Sequence, residues 1–168
     1  MLRKISYALV TVSLAIGISS CKSAKTMDET EVPTGTGSTE MTGGDDNTMG
    51  DSDSGKAMGL QTIHFKYDSF DIDSEGKQAL NTNAEILKSN STAKVQIEGH
   101  CDQRGGIQYN IALGEKRANR VRDALKKLGI SADRIATISY GKERLLDTAM
   151  DESAFAKNRR ANFAITSK

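Results

Sequence analysis

The sequence predicts an α+β fold over residues 61–168, a two-layer sandwich in which helices cover a mixed sheet. Along this region, stretches of strand character alternate with stretches of helical periodicity in the order βαβαβ(α)β. The chain is 168 residues long, which accommodates one such domain with appendages and excludes two large domains. We call this folded C-terminal region the head.

The first half of the head predicts a strand, a helix and a second strand. Residues 62–66 favour a β-strand, and Ser74 is placed as the N-cap of a helix. That helix carries Leu80, Ala84 and Leu87 on one side. Apolar and polar residues then alternate over 93–99, which is typical of a half-buried strand.

The second half predicts the clearest helix of the chain, followed by two more strands. After a Gly105-Gly106 turn, apolar residues recur at helical spacing: Ile107, Ile111, Ala118, Val121, Leu125 and Leu128. Gly129 supplies the C-terminal stop of this helix. A third strand is predicted over 135–140, a short helix capped by Asp151 runs to Lys157, and a fourth strand covers 161–166. The alternation favours a sheet that helices cover on one face.

Residues 1–20 have the pattern of a signal peptide. Arg3 and Lys4 precede a mainly apolar run over 5–18, which as a helix spans about 21 Å, against about 30 Å of bilayer hydrocarbon. The run ends in residues 18–21, Ile-Ser-Ser-Cys, which resemble a bacterial lipobox. We expect Cys21 to carry the lipid anchor, and an ordinary secreted protein is the alternative.

Residues 21–60 read as a disordered acidic linker. They hold eight acidic and three basic residues, a net charge of −5, and their apolar residues follow no helical or strand period. Calcium binding is the alternative use of these acids, but they lack the regular spacing of an EF-hand loop. This composition therefore predicts a flexible arm between the lipid anchor and the head.

The charges of the head do not indicate nucleic-acid binding. The whole chain has a net charge of +1, because the negative charge of the linker offsets the positive charge of the head, which has 18 basic and 14 acidic residues. A basic face on the long helix is interpreted as solvated, because few aromatic residues interleave with it: Lys116, Arg120, Arg122, Lys126 and Lys127.

His100 and Cys101, beside Asp102, raise the possibility of a cysteine hydrolase or a metal site. Neighbouring strand residues point to opposite faces, so His100 and Cys101 cannot act together as base and nucleophile. With two histidines in the chain and no Cys-x-x-Cys motif, we expect no zinc site. Cys101 is expected to pack as a small hydrophobic residue.

Four motifs carry a family resemblance: 98–102 (EGHCD), 109–110 with 117–118 (YN and RA), 139–143 (SYGKE) and 158–160 (NRR). In this order, over roughly residues 61–166, they resemble the OmpA-like C-terminal domain that binds peptidoglycan. Together with the lipobox, they are similar to the peptidoglycan-associated lipoproteins within that family. Cys101, Gln103 and Gly106 depart from the commoner residues, and the last two are expected to weaken ligand contacts without removing them.

The resemblance implies a ligand, the free end of meso-diaminopimelate, which presents an ammonium and a carboxylate on one carbon. Asp102 matches the aspartate that accepts from the ammonium, and Arg117 matches the arginine that grips the carboxylate. Asn110 is expected to position the ligand or the loop through its amide. Three further residues match segments that line the same groove: Tyr67, Asp68 and Arg159. Without the resemblance, Asp102 and Arg117 read as a solvated ion pair.

The resemblance also implies partners and a location. The partners are peptidoglycan, TolB and other Tol proteins, and the membrane through its lipid; no cofactor, metal or enzymatic activity is implied. Lys22 rather than Asp follows the lipidated cysteine, which by analogy implies the outer membrane with the head facing the periplasm. Two alternatives stay open: a wall-anchoring lipoprotein outside the Tol system, and a cell-wall hydrolase, for which no nucleophile or acid pair is found.

Overall fold

A computed structural model describes residues 49–168. The signal peptide over 1–20, the lipidation site Cys21 and the linker as far as residue 48 lie outside the described residues. Within 49–168, no helix combines the length and the apolar character that crossing a membrane requires.

Residues 49–168 form a four-stranded mixed sheet with three α-helices and one short 3-10 helix, Ala132–Arg134. The elements are β1 (Ile63–His64), α1 (Ser74–Ser89), β2 (Lys94–His100), α2 (Ile107–Lys127), β3 (Ile135–Gly141), α3 (Glu152–Asn158) and β4 (Arg160–Ser167). The strands lie in the order β1-β4-β2-β3. β4 is antiparallel to both of its neighbours, whereas β2 and β3 are parallel. The predicted α+β fold with a mixed sheet is confirmed.

The core lies between the sheet and the apolar faces of α1 and α2. Its buried side chains come from both helices and from the strands: Leu80, Ala84, Leu87, Val95, Ile97, Ala118, Val121, Leu125, Phe163 and Ile165. Removing these surfaces from water is the main favourable contribution to folding. The intervening residues of β2, Glu98 and His100 among them, face away from this core.

The ends of the helices agree with the sequence except at α1. The N-cap of α1 is Asp73, not Ser74, because Asp73 has extended backbone and its carboxylate accepts from the Gly76 amide at 2.9 Å. Asp151 caps α3 as predicted, accepting from the Ala154 amide at 2.9 Å. Gly129 follows α2 with φ of 93°, the left-handed conformation that ends helices.

The first turns of α2 bury a different face from the one predicted. Ile107 is 52% exposed, and the residues turned inward are Asn110, Leu113, Gly114 and Arg117. The apolar period therefore describes only the later turns, where Ala118, Val121 and Leu125 are buried. Near its start, α2 approaches β2 through its glycine, and polar side chains take the inward positions.

Residues 49–60 are packed on the head, so their assignment to the linker is wrong. The Met49 amide donates to the Ile165 carbonyl at 2.8 Å, and the Ser52 amide donates to the Phe163 carbonyl at 2.9 Å, which extends the β1 side of β4. Ala57 and Leu60 are buried in the core. The head therefore begins before residue 61. The segment is held by backbone hydrogen bonds and by only two buried apolar side chains, so its sequence shows no apolar period from which the packing could be predicted.

Candidate functional site

A cleft of about 260 Å³ lies at the end of β2, next to the start of α2. Its lining includes every ligand residue that the sequence predicted in the head: Tyr67, Asp68, Asp102, Asn110, Arg117 and Arg159. They come from the loop after β1, the end of β2, the buried face of α2 and the junction of α3 with β4. The tertiary structure brings these four segments together.

The cleft walls are close because two glycines meet beneath them. A Cβ built on Gly99 of β2 would stand 1.9 Å from the carbonyl oxygen of Gly114 in α2, so only glycine permits this approach. Asp102 follows Gly99 by three residues, and Arg117 follows Gly114 by about one helical turn. The glycine contact therefore places Asp102 and Arg117 on facing walls of one cleft.

Asp102 is a buried carboxylate that the protein itself keeps ionised. It is 4% exposed and accepts from the Arg104 amide at 3.1 Å, from Arg104 Nε at 3.2 Å and from Arg104 Nη2 at 2.6 Å. Arg159 Nη1 donates to the same carboxylate at 3.3 Å. Burial on its own raises the pKa of Asp102, but the hydrogen bonds from Arg104 and Arg159 outweigh it and hold the pKa below its ordinary value.

Arg117 is fully buried, at 0% exposure, and three backbone carbonyls hold its guanidinium. Nε donates to the Ser69 carbonyl at 2.8 Å, Nη1 to the His100 carbonyl at 2.7 Å and Nη2 to the Lys66 carbonyl at 3.2 Å. Among residues 49–168, no carboxylate oxygen lies within 4.0 Å of it. Burial lowers the pKa of Arg117, yet an arginine stays charged.

The contacts of Arg117 limit what it can offer a ligand. Nη1 also contacts Cys101 Sγ at 3.4 Å, so of the five guanidinium N–H groups one, on Nη2, has no acceptor within the described part of the chain. The two-bond grip on a carboxylate that the sequence led us to expect therefore requires one carbonyl to be released. In the arrangement seen here, Arg117 supplies a buried positive charge and a single donor.

Arg104 is a cleft residue that sequence reasoning missed. Its Cζ lies 4.1 Å from the Tyr67 ring centroid and 4.2 Å from the Phe155 ring centroid, and its Nη1 lies 3.6 Å from Glu152. A usable signal was present, because Arg104 stands two residues after Asp102, within reach of a local ion pair.

Tyr109 is a second cleft residue to which the sequence analysis gave no role. It lines the cleft, and its hydroxyl donates to the Asp68 carboxylate.

Asn110 and Arg159 make hydrogen bonds within the protein that hold the segments around the cleft in place. The Asn110 side-chain amide donates to the Arg104 carbonyl at 2.7 Å and to the Gly106 carbonyl at 3.1 Å, which holds the loop over 104–106. Of the two roles predicted for this amide, the structure shows the contacts to the loop. Arg159 donates through Nε to the Phe65 carbonyl at 3.0 Å and through Nη2 to Glu152 at 2.7 Å.

His100 and Cys101 lie in separate environments, as the strand alternation predicted. His100 is buried beside Glu98, with its Nε2 3.7 Å from a carboxylate oxygen, and neither ring nitrogen has a hydrogen-bond partner among the described residues. Cys101 Sγ instead contacts the Asn110 carbonyl at 3.3 Å in the cleft, and burial raises the pKa of its thiol. The thiol and the imidazole therefore do not form a nucleophile-base pair.

The comparisons with known proteins agree on one family. The OmpA family model matches residues 64–159. The peptidoglycan-associated lipoprotein of Haemophilus influenzae is 43% identical over 103 residues, which cover 61% of this chain and 67% of that protein. The peptidoglycan-associated lipoprotein of Pseudomonas putida is 34% identical over 157 residues, which cover 94% of this chain and 93% of the relative.

Solved structures share the fold of the head. The crystal structure of the peptidoglycan-associated lipoprotein from Burkholderia pseudomallei matches with a TM-score of 0.60 at 36% identity, covering 62% of this chain and 88% of that one. The C-terminal domain of Helicobacter pylori MotB matches with a TM-score of 0.61 at 19% identity, covering 66% and 87% of the two chains. The likeness to MotB concerns the fold alone.

Proposed function

This chain belongs to the OmpA family, among the peptidoglycan-associated lipoproteins, and we propose that its head binds peptidoglycan without covalent attachment. The proposed ligand is the free end of meso-diaminopimelate in a stem peptide. The relatives are named for an association with the wall and not for an enzymatic activity, which supports a non-enzymatic anchor. The residues proposed to form the site are those of the cleft.

The observation that carries this proposal is that one cleft buries an anion and a cation to which residues 49–168 give no carboxylate partner. Asp102 offers a carboxylate, and Arg117 offers a positive charge with no carboxylate of residues 49–168 within 4.0 Å. A buried charge without a counter-ion is costly, so the cleft favours a ligand that brings its own anion. A zwitterion on one carbon supplies both an ammonium for Asp102 and a carboxylate for Arg117.

The charges of the whole lining favour the same kind of ligand. Three arginines and two aspartates contribute to it, which is a net charge of +1: Arg104, Arg117, Arg159, Asp68 and Asp102. A ligand with one ammonium and one carboxylate preserves this balance, whereas a simple amine adds to the excess of positive charge. The cleft is therefore better matched to diaminopimelate than to the side chain of lysine.

We further propose that the head is tethered to the outer membrane and faces the periplasm. Support comes from the lipobox resemblance at Cys21, from Lys22 after it, and from the relatives, which are named lipoproteins. By the same family membership, the proposed partners are TolB and other Tol proteins, with a role in envelope integrity and cell division. A TolB pulldown tests this part, and failure of the chain to retain TolB would favour an anchoring lipoprotein outside the Tol system.

The wall-binding proposal is tested by co-sedimentation of the full chain, in mild detergent, with purified peptidoglycan sacculi. We expect Asp102→Asn and Arg117→Lys each to weaken retention by about tenfold or more, which is the loss of a charge-assisted hydrogen bond. Arg122→Gln is the matched control, because Arg122 is on the same helix and pairs with Asp123 outside the cleft.

Soluble stem peptide that ends in meso-diaminopimelate should release the bound wild-type chain. Thermal melts of each variant confirm that the fold persists, which matters most for the buried Arg117. Retention of both cleft variants at the wild-type level would refute the site, and no retention of the wild type would refute the function.

A further inference from the structure

The Asp102 carboxylate already holds a cation of this chain in the place proposed for the ligand ammonium. Three hydrogen bonds from Arg104 and one from Arg159 reach its two oxygens. An ionised carboxylate has about four acceptor sites, so these donors fill it. A ligand ammonium must therefore displace one of them before it can bind Asp102.

Arg104 is the donor that can be displaced. Its side chain is 33% exposed, whereas that of Arg159 is 7% exposed, and Arg159 is also held by the Phe65 carbonyl and by Glu152. Arg104 rests on the rings of Tyr67 and Phe155, and its remaining ionic contact is Glu152 at 3.6 Å. These contacts let the guanidinium leave Asp102 while it stays at the mouth of the cleft.

We infer that Arg104 is a specificity-determining residue: it occupies the ammonium position on Asp102 and yields it only to a ligand that brings a carboxylate of its own. This inference rests on the proposed function. The exchange replaces one internal ion pair by two pairs with the ligand. The ligand ammonium takes Asp102, and the ligand carboxylate becomes a partner for the displaced Arg104 as well as for Arg117.

With diaminopimelate, the ion pair that Arg104 loses is replaced by a pair with the ligand carboxylate, whereas with lysine it is not replaced. A lysine side chain brings an ammonium alone, so it would displace Arg104 from a short ion pair with the buried Asp102 and offer no anion in return. The carboxylate of diaminopimelate compensates for that loss. Arg104 therefore gives specificity mainly by weakening the binding of a ligand that lacks the carboxylate, and specificity is often achieved in this way.

The test compares two stem tripeptides that differ only in the third residue, meso-diaminopimelate or L-lysine. Their affinities for the full chain in detergent are measured by calorimetry, for the wild type and for Arg104→Gln. We expect the wild type to prefer the diaminopimelate peptide, and Arg104→Gln to bind the lysine peptide about tenfold more tightly than the wild type does. The ratio of the two affinities then falls.

Two further variants control the interpretation. Arg144→Gln removes an arginine that stacks on Tyr140, with Cζ 3.8 Å from the ring centroid, but does not line the cleft, so the ratio should stay at its wild-type value. Arg104→Lys keeps the charge without the forked contact, and we expect an intermediate ratio.

An unchanged ratio in Arg104→Gln, or weaker binding of the lysine peptide by it, overturns the inference while the proposed function stands. A wild-type chain that binds neither peptide overturns the proposed function itself. Thermal melts establish that each variant is folded, so a change in ratio reflects the site.

Discussion

Gly99 of β2 and Gly114 of α2 meet backbone to backbone, and a Cβ on either would overlap the other residue. From Gly99 such an atom would lie 1.9 Å from the Gly114 carbonyl oxygen, and from Gly114 it would lie 2.8 Å from the Gly99 carbonyl oxygen. This contact sets the spacing between the strand that leads to Asp102 and the helix that carries Arg117. The width of the cleft therefore depends on two residues that do not line it.

Gly99→Ala should lower the free energy of unfolding by about 3 kcal/mol, because the helix must move away from the sheet to admit a methyl group. Urea denaturation measures this loss. Gly106→Ala is the control, since nothing lies within 4 Å of a Cβ there, and we expect it to cost at most about 1 kcal/mol through its N-cap position. Equal effects of the two substitutions would contradict the close-approach argument.

Leu60→Ala should destabilise the head by about 2 to 4 kcal/mol, because Leu60 is buried in the core although it lies in the region predicted as linker. The measurement is again urea denaturation. Met49→Ala, in the same segment but at a side chain that is 57% exposed, should change stability by at most about 0.5 kcal/mol. If Leu60→Ala were as mild as Met49→Ala, residues 49–60 would not be part of the folded head.

Stability should fall on acidification from about pH 7 to about pH 5.5, because burial holds the pKa of His100 below its ordinary value of 6.5 despite the nearby Glu98. In this window the unfolded chain binds a proton on His100 more readily than the folded protein does, so unfolding becomes easier as the pH falls. The slope for one proton is at most about 1.4 kcal/mol per pH unit.

Denaturation at several pH values checks this expectation. His100→Gln should flatten the slope, whatever it does to stability at neutral pH. His64→Gln should keep it, because His64 is exposed. Glu98 does not titrate in this window. Burial raises its pKa, but contacts with His100, Asn162 and Gln96 outweigh that effect and hold the pKa below its ordinary value of 4.5. A slope that survives His100→Gln would assign the effect to another group.

Binding to sacculi should be nearly constant between about pH 7 and about pH 5. The pKa of Asp102 is held below its ordinary value of 3.8, so the carboxylate is lost only as the pH falls through that lower value. Co-sedimentation at several pH values, with the folded fraction checked at each, measures it. An about tenfold loss within this range would show that Asp102 is not the acceptor of the ligand ammonium.

The order of strands and helices could be predicted because it depends on local patterns. Alternation over 93–99 and the apolar period of Ala118, Val121 and Leu125 directly report which face of an element is buried. Two of the features that the sequence did not predict have a physical reason. Residues 49–60 are held by backbone pairing with β4, and the start of α2 is buried through glycine and polar side chains, neither of which produces an apolar period.

The candidate site divides in the same way. The motifs and the family resemblance identified six of the residues that line the cleft, and the sequence by itself determined the α+β order of the elements. It could not determine how the charges are partnered. Arg117 is held by the carbonyls of Lys66 and Ser69, 51 and 48 residues away in the chain, and Arg159 reaches Asp102 across 57 residues. Such contacts depend on where distant backbone segments meet, so only the tertiary structure decided that Arg159 reaches Asp102 and that Arg117 is held by carbonyls, with no carboxylate of residues 49–168 beside it.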